Sequence, residues 1–136
     1  MGQPVLLCYH IEGEKFKKLR LAAMRFKIRV RPVRPEEYGQ TLAALCAMEP
    51  PSDRPAPTRT FEEEMLVMAD FPPAVTMPFL QSFRRLGIPP IALKAVLTPT
   101  NSAWDSLRLH DELSSERAAL AQGSRPAHET PSSTDA

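Results

Sequence analysis

The chain predicts an α/β fold: duplicated β-α-β-α units forming a small, mostly parallel four-stranded sheet with packed helices. Three observations predict it. Short apolar runs alternate with amphipathic stretches, as strands covered by helices do. The order strand, helix, strand, helix occurs twice. Apolar positions of the second half also answer those of the first at one offset of 60 residues: Leu6 and Leu66, Leu7 and Val67, Cys8 and Met68, Ile11 and Phe71, Leu19 and Phe79, Ala23 and Phe83, Phe26 and Leu86.

The first strand is the apolar run Pro4-Val5-Leu6-Leu7-Cys8-Tyr9-His10-Ile11. A helix over 12–27 follows, with Phe16, Leu19, Ala23 and Phe26 on one stripe. Residues 28–33 alternate apolar and basic side chains, the mark of a half-exposed strand. Pro32 has no backbone donor, which places this strand at an edge. Pro35 suits a helix start, and Tyr38, Leu42 and Leu45 recur at helical spacing up to about Ala47.

Residues 48–60, with Pro50, Pro51, Pro55 and Pro57, form a semi-extended connection. Residues 64–71 are the third strand. The next helix carries Val75, Phe79, Phe83 and Leu86, with Gly87 as its C-terminal cap. Pro78 falls inside that stripe, so the helix either starts near Thr76 or kinks. Residues 91–97 are the fourth strand. The last helix starts near Ser102, with Asp105 at the capping-box position, and Trp104, Leu107, Leu113 and Leu120 form its apolar side.

The expected organisation is one domain over 1–120, with halves 4–47 and 62–120, and a polar, disordered tail over 121–136. Strands one and three are expected side by side at the centre, in the order 2-1-3-4, with right-handed crossovers.

With 136 residues the chain can bury one core without disulfides or a metal. Its net charge of +1 argues against general coating of nucleic acid. The charge is uneven: between Glu12 and Arg34 stand Lys15, Lys17, Lys18, Arg20, Arg25, Lys27, Arg29, Arg31 and Arg34 against two acids. That is either a solvated helix face beside a charge-guarded edge strand or a patch for an anionic partner. Cys8 and Cys46 sit in apolar contexts and read as buried free thiols. No membrane span and no secretion signal is seen, which leaves a cytoplasmic protein. Phosphate cradles, a nucleophile elbow and metal-ligand clusters are missing, so no cofactor and no metal is expected.

Strand Leu93-Lys94-Ala95-Val96-Leu97, then Thr98-Pro99-Thr100-Asn101 and Trp104, resembles the hallmark of domain of unknown function 3783, a small bacterial family. Glu63-Glu64-Met65-Leu66-Val67-Met68 is similar to its usual entry, and Phe83-Arg84-Arg85-Leu86-Gly87 to its helix end. The resemblance covers about Glu62 to Leu120. It implies a compact soluble bacterial protein and carries no activity with it.

In open α/β sheets ligands sit at the carboxyl ends of strands. That rule gathers His10, Arg34, Asp70, Thr98, Thr100 and Asn101 at one rim. Arg34 with the hydroxyls suits a carboxylate or phosphate, and His10 with Asp70 suits an acid–base pair if their strands adjoin. The structural reading is the stronger one for Thr98 and Asn101, whose short polar side chains bond nearby backbone groups and hold a turn. Lys94, mid-strand, is either a buried reactive amine or an edge residue reaching solvent. Three functions remain open. The first is a non-catalytic binding or adaptor domain for a protein or small anionic ligand. The second is nucleic-acid binding through the basic 15–34 segment. The third is a small enzyme using His10, Asp70 and Lys94.

Overall fold

Two strands of the protein are buried at every residue: β1 (Val5–Tyr9) and β3 (Met65–Ala69). A strand of this kind has no polar face to offer water, so both sides must be covered by other elements. The computed structural model, which describes residues 3–121, shows the resulting three layers. β1 and β3 lie at the centre of a four-stranded sheet, flanked by β2 (Arg29–Pro32) and β4 (Leu93–Val96) in the order β2-β1-β3-β4. The expected order is therefore found, and Pro32 lies on an edge strand.

Each outer strand runs parallel to its central neighbour, Val5 facing Arg29 and Met65 facing Leu93. The central pair is antiparallel: Val5 faces Ala69, Leu7 faces Val67 and Tyr9 faces Met65. The sheet is mixed, with two parallel pairings and one antiparallel.

Side-chain alternation sorts the core into two faces. Leu6, Cys8, Leu66 and Met68 point to one side, where α1 (Gly13–Arg25) and α3 (Pro73–Leu86) bring Leu19, Ala22, Ala23, Phe79 and Phe83. Leu7, Tyr9, Met65, Val67, Leu93 and Ala95 point to the other. There they meet Tyr38, the short α2 (Leu42–Leu45), Phe61 and α4 (Ser106–Ala121) through Leu107 and Leu109. Burying each such large apolar side chain contributes about 1.5–3 kcal/mol.

The halves share more than element order. His10 and Asp70, 60 residues apart, both take left-handed backbone, φ 62° and 59°. Asp and His tolerate that region better than most residues. The ends of α1 and α3 also match. Ile28 N–H donates to Ala23 C=O (2.9 Å), and Ile88 N–H to Phe83 C=O (2.8 Å). Lys27 and Gly87 are left-handed at φ 59° and 75°. This is the Schellman ending, which glycine accepts without strain and lysine does not.

Several local expectations are corrected. The helix over 35–47 is a 3-10 turn, Pro35–Glu37, followed by α2. Gly39 separates them, lying against Pro55 and Pro57, and Thr41 caps α2 by accepting from Ala44 N–H at 3.1 Å. α3 begins at Pro73, not near Thr76, and contains Pro78. α4 begins at Ser106. Asp105 itself caps it, accepting from Arg108 N–H at 2.9 Å, while Ser102 belongs to the 3-10 turn Asn101–Ala103. Leu109, not the exposed Leu120, completes the buried side of α4. The expected tail lies, apart from Ala121, outside the described residues.

The matched helix ends give a reciprocal expectation for stability. Replacing Lys27 by glycine should raise the unfolding free energy by about 0.5–1 kcal/mol, and Gly87→Ala should lower it by about 1 kcal/mol. Urea denaturation of both variants checks the pair.

Candidate functional site

The antiparallel central pair decides which polar groups meet. The carboxyl ends of β1 and β2 lie at one end of the sheet, with His10 and Arg34. Those of β3 and β4 lie at the opposite end, with Asp70, Thr98, Thr100 and Asn101. The single shared rim is therefore not formed, although strands one and three do adjoin. His10 and Asp70 do not pair, and Arg34 does not join the threonines in an anion cradle.

His10 turns toward the α4 side of the sheet. Its Nε2 lies 2.9 Å from the Tyr38 hydroxyl, and its ring meets Phe61 edge-on at 5.6 Å. Phe61 is sandwiched between Tyr38 (4.7 Å) and His110 (4.1 Å), both stacked nearly parallel to it. Beneath it the buried Tyr9 hydroxyl shares a 2.7 Å hydrogen bond with Ser106. Burial raises the pKa of Tyr9, and Ser106 only partly offsets this. Sequence periodicity overlooks Phe61 and His110, because one sits outside any element and the other is a single polar residue of a helix.

His110 Nδ1 lies 3.2 Å from Asp111, and its Nε2 3.4 Å from Ser114 and 2.8 Å from Glu63. A Ser-His-Asp set is thus assembled on one helix. Its Nε2, the atom a nucleophilic serine needs, is engaged more closely by Glu63. Hydrogen bonding from His110 holds the Glu63 carboxyl below its ordinary range, and Arg59, then His110, do the same for Asp111. Arg59 grips Asp111 through both guanidinium nitrogens, at 3.3 and 3.0 Å. The cluster clamps residues 59–63 onto α4.

Arg34 is exposed, and its backbone N–H donates to Glu37 at 3.1 Å. Arg31 donates to both oxygens of Glu37, at 3.2 and 3.1 Å. These bonds, Arg31 first, depress the Glu37 pKa.

At the opposite end the Thr-Pro-Thr-Asn segment closes on itself. Thr98 N–H donates to Asn101 Oδ1 (2.8 Å), Asn101 N–H to Thr98 Oγ1 (3.1 Å), and Asn101 Nδ2 to Val96 C=O (3.1 Å). Asn101 is buried with both ends of its amide in use. Its work is to hold the turn, as its side-chain chemistry suits. The turn forms one wall of a cavity of about 370 Å3, lined by Val96, Thr98, Thr100, Trp104, Leu113, Glu112 and Glu116 among others. Trp104 is half-buried, with the Arg108 guanidinium 4.3 Å above its ring.

Lys94 is half-buried on edge strand β4 and donates to Ile91 C=O at 3.0 Å. Its register partner Leu66 points to the α1 and α3 side. Lys94 and His10 therefore serve opposite faces, and the enzyme built from His10, Asp70 and Lys94 has no common site. Cys8 and Cys46 are buried free thiols with pKa values pushed up to about 12 and about 11, which makes them poor nucleophiles. Among the described residues no group of three or more His, Cys, Asp and Glu is placed to hold a metal ion. No described helix is long and apolar enough to cross a membrane.

Two outcomes follow. Asn101→Ala should destabilise the protein by about 1–2 kcal/mol, because it removes the side-chain bonds to Thr98 N–H and Val96 C=O that close the turn; chemical denaturation measures it. The depressed carboxyl of Glu37 stabilises the fold above the ordinary carboxylate range, and this is lost as pH falls through the lower folded value. Glu37→Gln should therefore flatten the stability profile below about pH 4.3, as melting temperatures across an acid series will show.

Comparison with known proteins follows the same division of the chain. No curated protein and no solved structure matches it. The family model described as Domain of unknown function (DUF3783) matches residues 64–120. That match runs from β3 to the last turns of α4 and covers less than half of the chain.

Proposed function

We propose that the protein is a non-catalytic binding domain whose ligand sits between β4, the Thr-Pro-Thr-Asn turn and α4. One observation carries the reading: that cavity joins an apolar floor to a half-buried tryptophan and a few polar groups, the usual make-up of a ligand site. Thr98, Thr100 and Asn101 belong to it. His10, Arg34, Asp70 and Lys94 do not line it.

The cavity does not favour the small anion. Its titratable lining is Glu112 and Glu116, with no basic side chain among the lining groups. Catalysis is disfavoured because the candidate acid–base groups are spread over two ends and two faces of the sheet. A single domain over 1–120, an origin by duplication and a bacterial, cytoplasmic setting belong to the same proposal. The matched turns at 10 and 70 and at 27 and 87 support the duplication. The family resemblance supports the setting.

Nucleic-acid binding is the second reading. It is favoured by the exposure of Lys17, Arg20, Arg25, Lys27, Arg29 and Arg34. It is weakened because Lys15 is paired with Glu64 and Arg31 with Glu37, which leaves a thinner patch than the sequence suggests.

Fragment mixtures titrated into isotopically labelled protein test the main reading. Amide shifts should gather at Val96, Thr100, Trp104 and Leu113. Shifts confined to α1 and β2, with RNA binding that weakens steeply with salt, would replace it by the second reading.

A further inference from the structure

β4 is the last strand of the sheet, so one of its edges has no partner strand among the described residues. Leu97 N–H donates to Met68 C=O at 2.9 Å, which turns the backbone of Leu97 and, two residues back, of Ala95 toward β3. Lys94 and Val96 therefore present their backbone outward. Asn101 Nδ2 already occupies Val96 C=O. Lys94 N–H, Lys94 C=O and Val96 N–H face outward without a strand to receive them.

The other edge of the sheet differs. Pro32 lies within β2 and Arg29 and Arg31 flank its only free residue, a combination that discourages added strands. β4 has no internal proline, and Val96 is 44% exposed. The cavity beside β4 supplies the selectivity that bare backbone lacks. Leu109, Leu113 and Trp104 give it an apolar floor, and Glu112 and Glu116 give it negative charge. Glu112 and Glu116 are one helical turn apart on α4, so they address the same groove. Arg108 approaches Glu112 only at 3.9 Å, and Glu116 has no ion-pair partner among the described residues.

We propose that the open edge of β4 and the acidic groove beside it receive an extended segment of a partner protein that carries a Lys or Arg with apolar residues two positions to either side. The inference rests on the binding reading above and names the chemistry of its ligand. Backbone bonds to Lys94 and Val96 fix the segment as a short fifth strand. Alternate side chains enter the groove, where the cation meets Glu116 and Glu112 and the apolar residues two positions to either side meet Leu113 and Trp104. A free metabolite would use the cavity and leave the edge untouched.

The probe is a phage-displayed random heptapeptide library panned on the full-length protein, with selected peptides then titrated against the emission of Trp104, the chain's sole tryptophan. The expected winners carry a basic residue with an apolar residue two positions away, change Trp104 emission saturably and shift the amide signals of Lys94 and Val96. The double variant Glu112→Gln, Glu116→Gln should weaken them about tenfold or more, while Glu36→Gln, exposed elsewhere, leaves them unchanged. Acidic or uncharged winners that still move Trp104 and ignore the double variant would overturn the basic-segment assignment and leave the groove as a site. A library with no winners acting on Trp104 would overturn the partner-segment proposal, while the fragment shifts described above decide the binding reading separately. Emission that depends on protein concentration alone would place a second copy in the groove and overturn the proposal.

Discussion

The antiparallel pairing of β1 with β3 organises everything else in this protein. Ten residues with no water-facing side chain lie back to back, Leu7 opposite Val67 at the middle. Burial of both faces requires helices above and below, and each half supplies one layer of each. The same pairing sets the two halves in opposite directions. Polar groups at equivalent positions, His10 and Asp70, are consequently held at opposite ends of the sheet.

That constraint explains why function does not gather at a rim. One end is closed by side chains that satisfy each other: His10 with Tyr38, Phe61 between Tyr38 and His110, and Glu37 with Arg31. At the other end the Thr98–Asn101 bonds are likewise internal. What remains unsatisfied lies along the side of the sheet, where β4 and α4 leave a groove with an aromatic ring and two carboxylates. The two edge strands are thereby unequal, one guarded by proline and arginine and the other open.

Much of the architecture was legible in the chain. Continuous apolar runs marked β1 and β3, alternating Arg29-Val30-Arg31 with Pro32 marked an edge, and Gly87 marked a helix end. The Thr98–Asn101 turn was equally readable, because its bonds are local and depend on side-chain type. The direction of β3 relative to β1 was not: apolar patterning records which side chains are buried and is silent on chain direction. The break at Gly39 and the shift of the last helix cap from Ser102 to Asp105 were also hidden, since several polar residues there can cap equally well. Phe61 was invisible for another reason. A single apolar residue after a proline-rich stretch has no periodicity, and only tertiary structure shows it stacked between two rings. The groove combines the Thr98–Asn101 turn, an apolar side chain just before the last helix and two carboxylates of that helix, which sequence alone does not bring together.

A distance between positions 10 and 70 tests the central pairing most directly. Nitroxide labels placed by His10→Cys and Asp70→Cys, with the buried native thiols left unreacted, report it by pulsed dipolar spectroscopy. Antiparallel strands in this register separate the two backbone positions by about 20 Å. A separation near 5 Å, seen as strong dipolar broadening, would mean parallel central strands whose ends converge, and the structure-based assignment of the groove would fall with it.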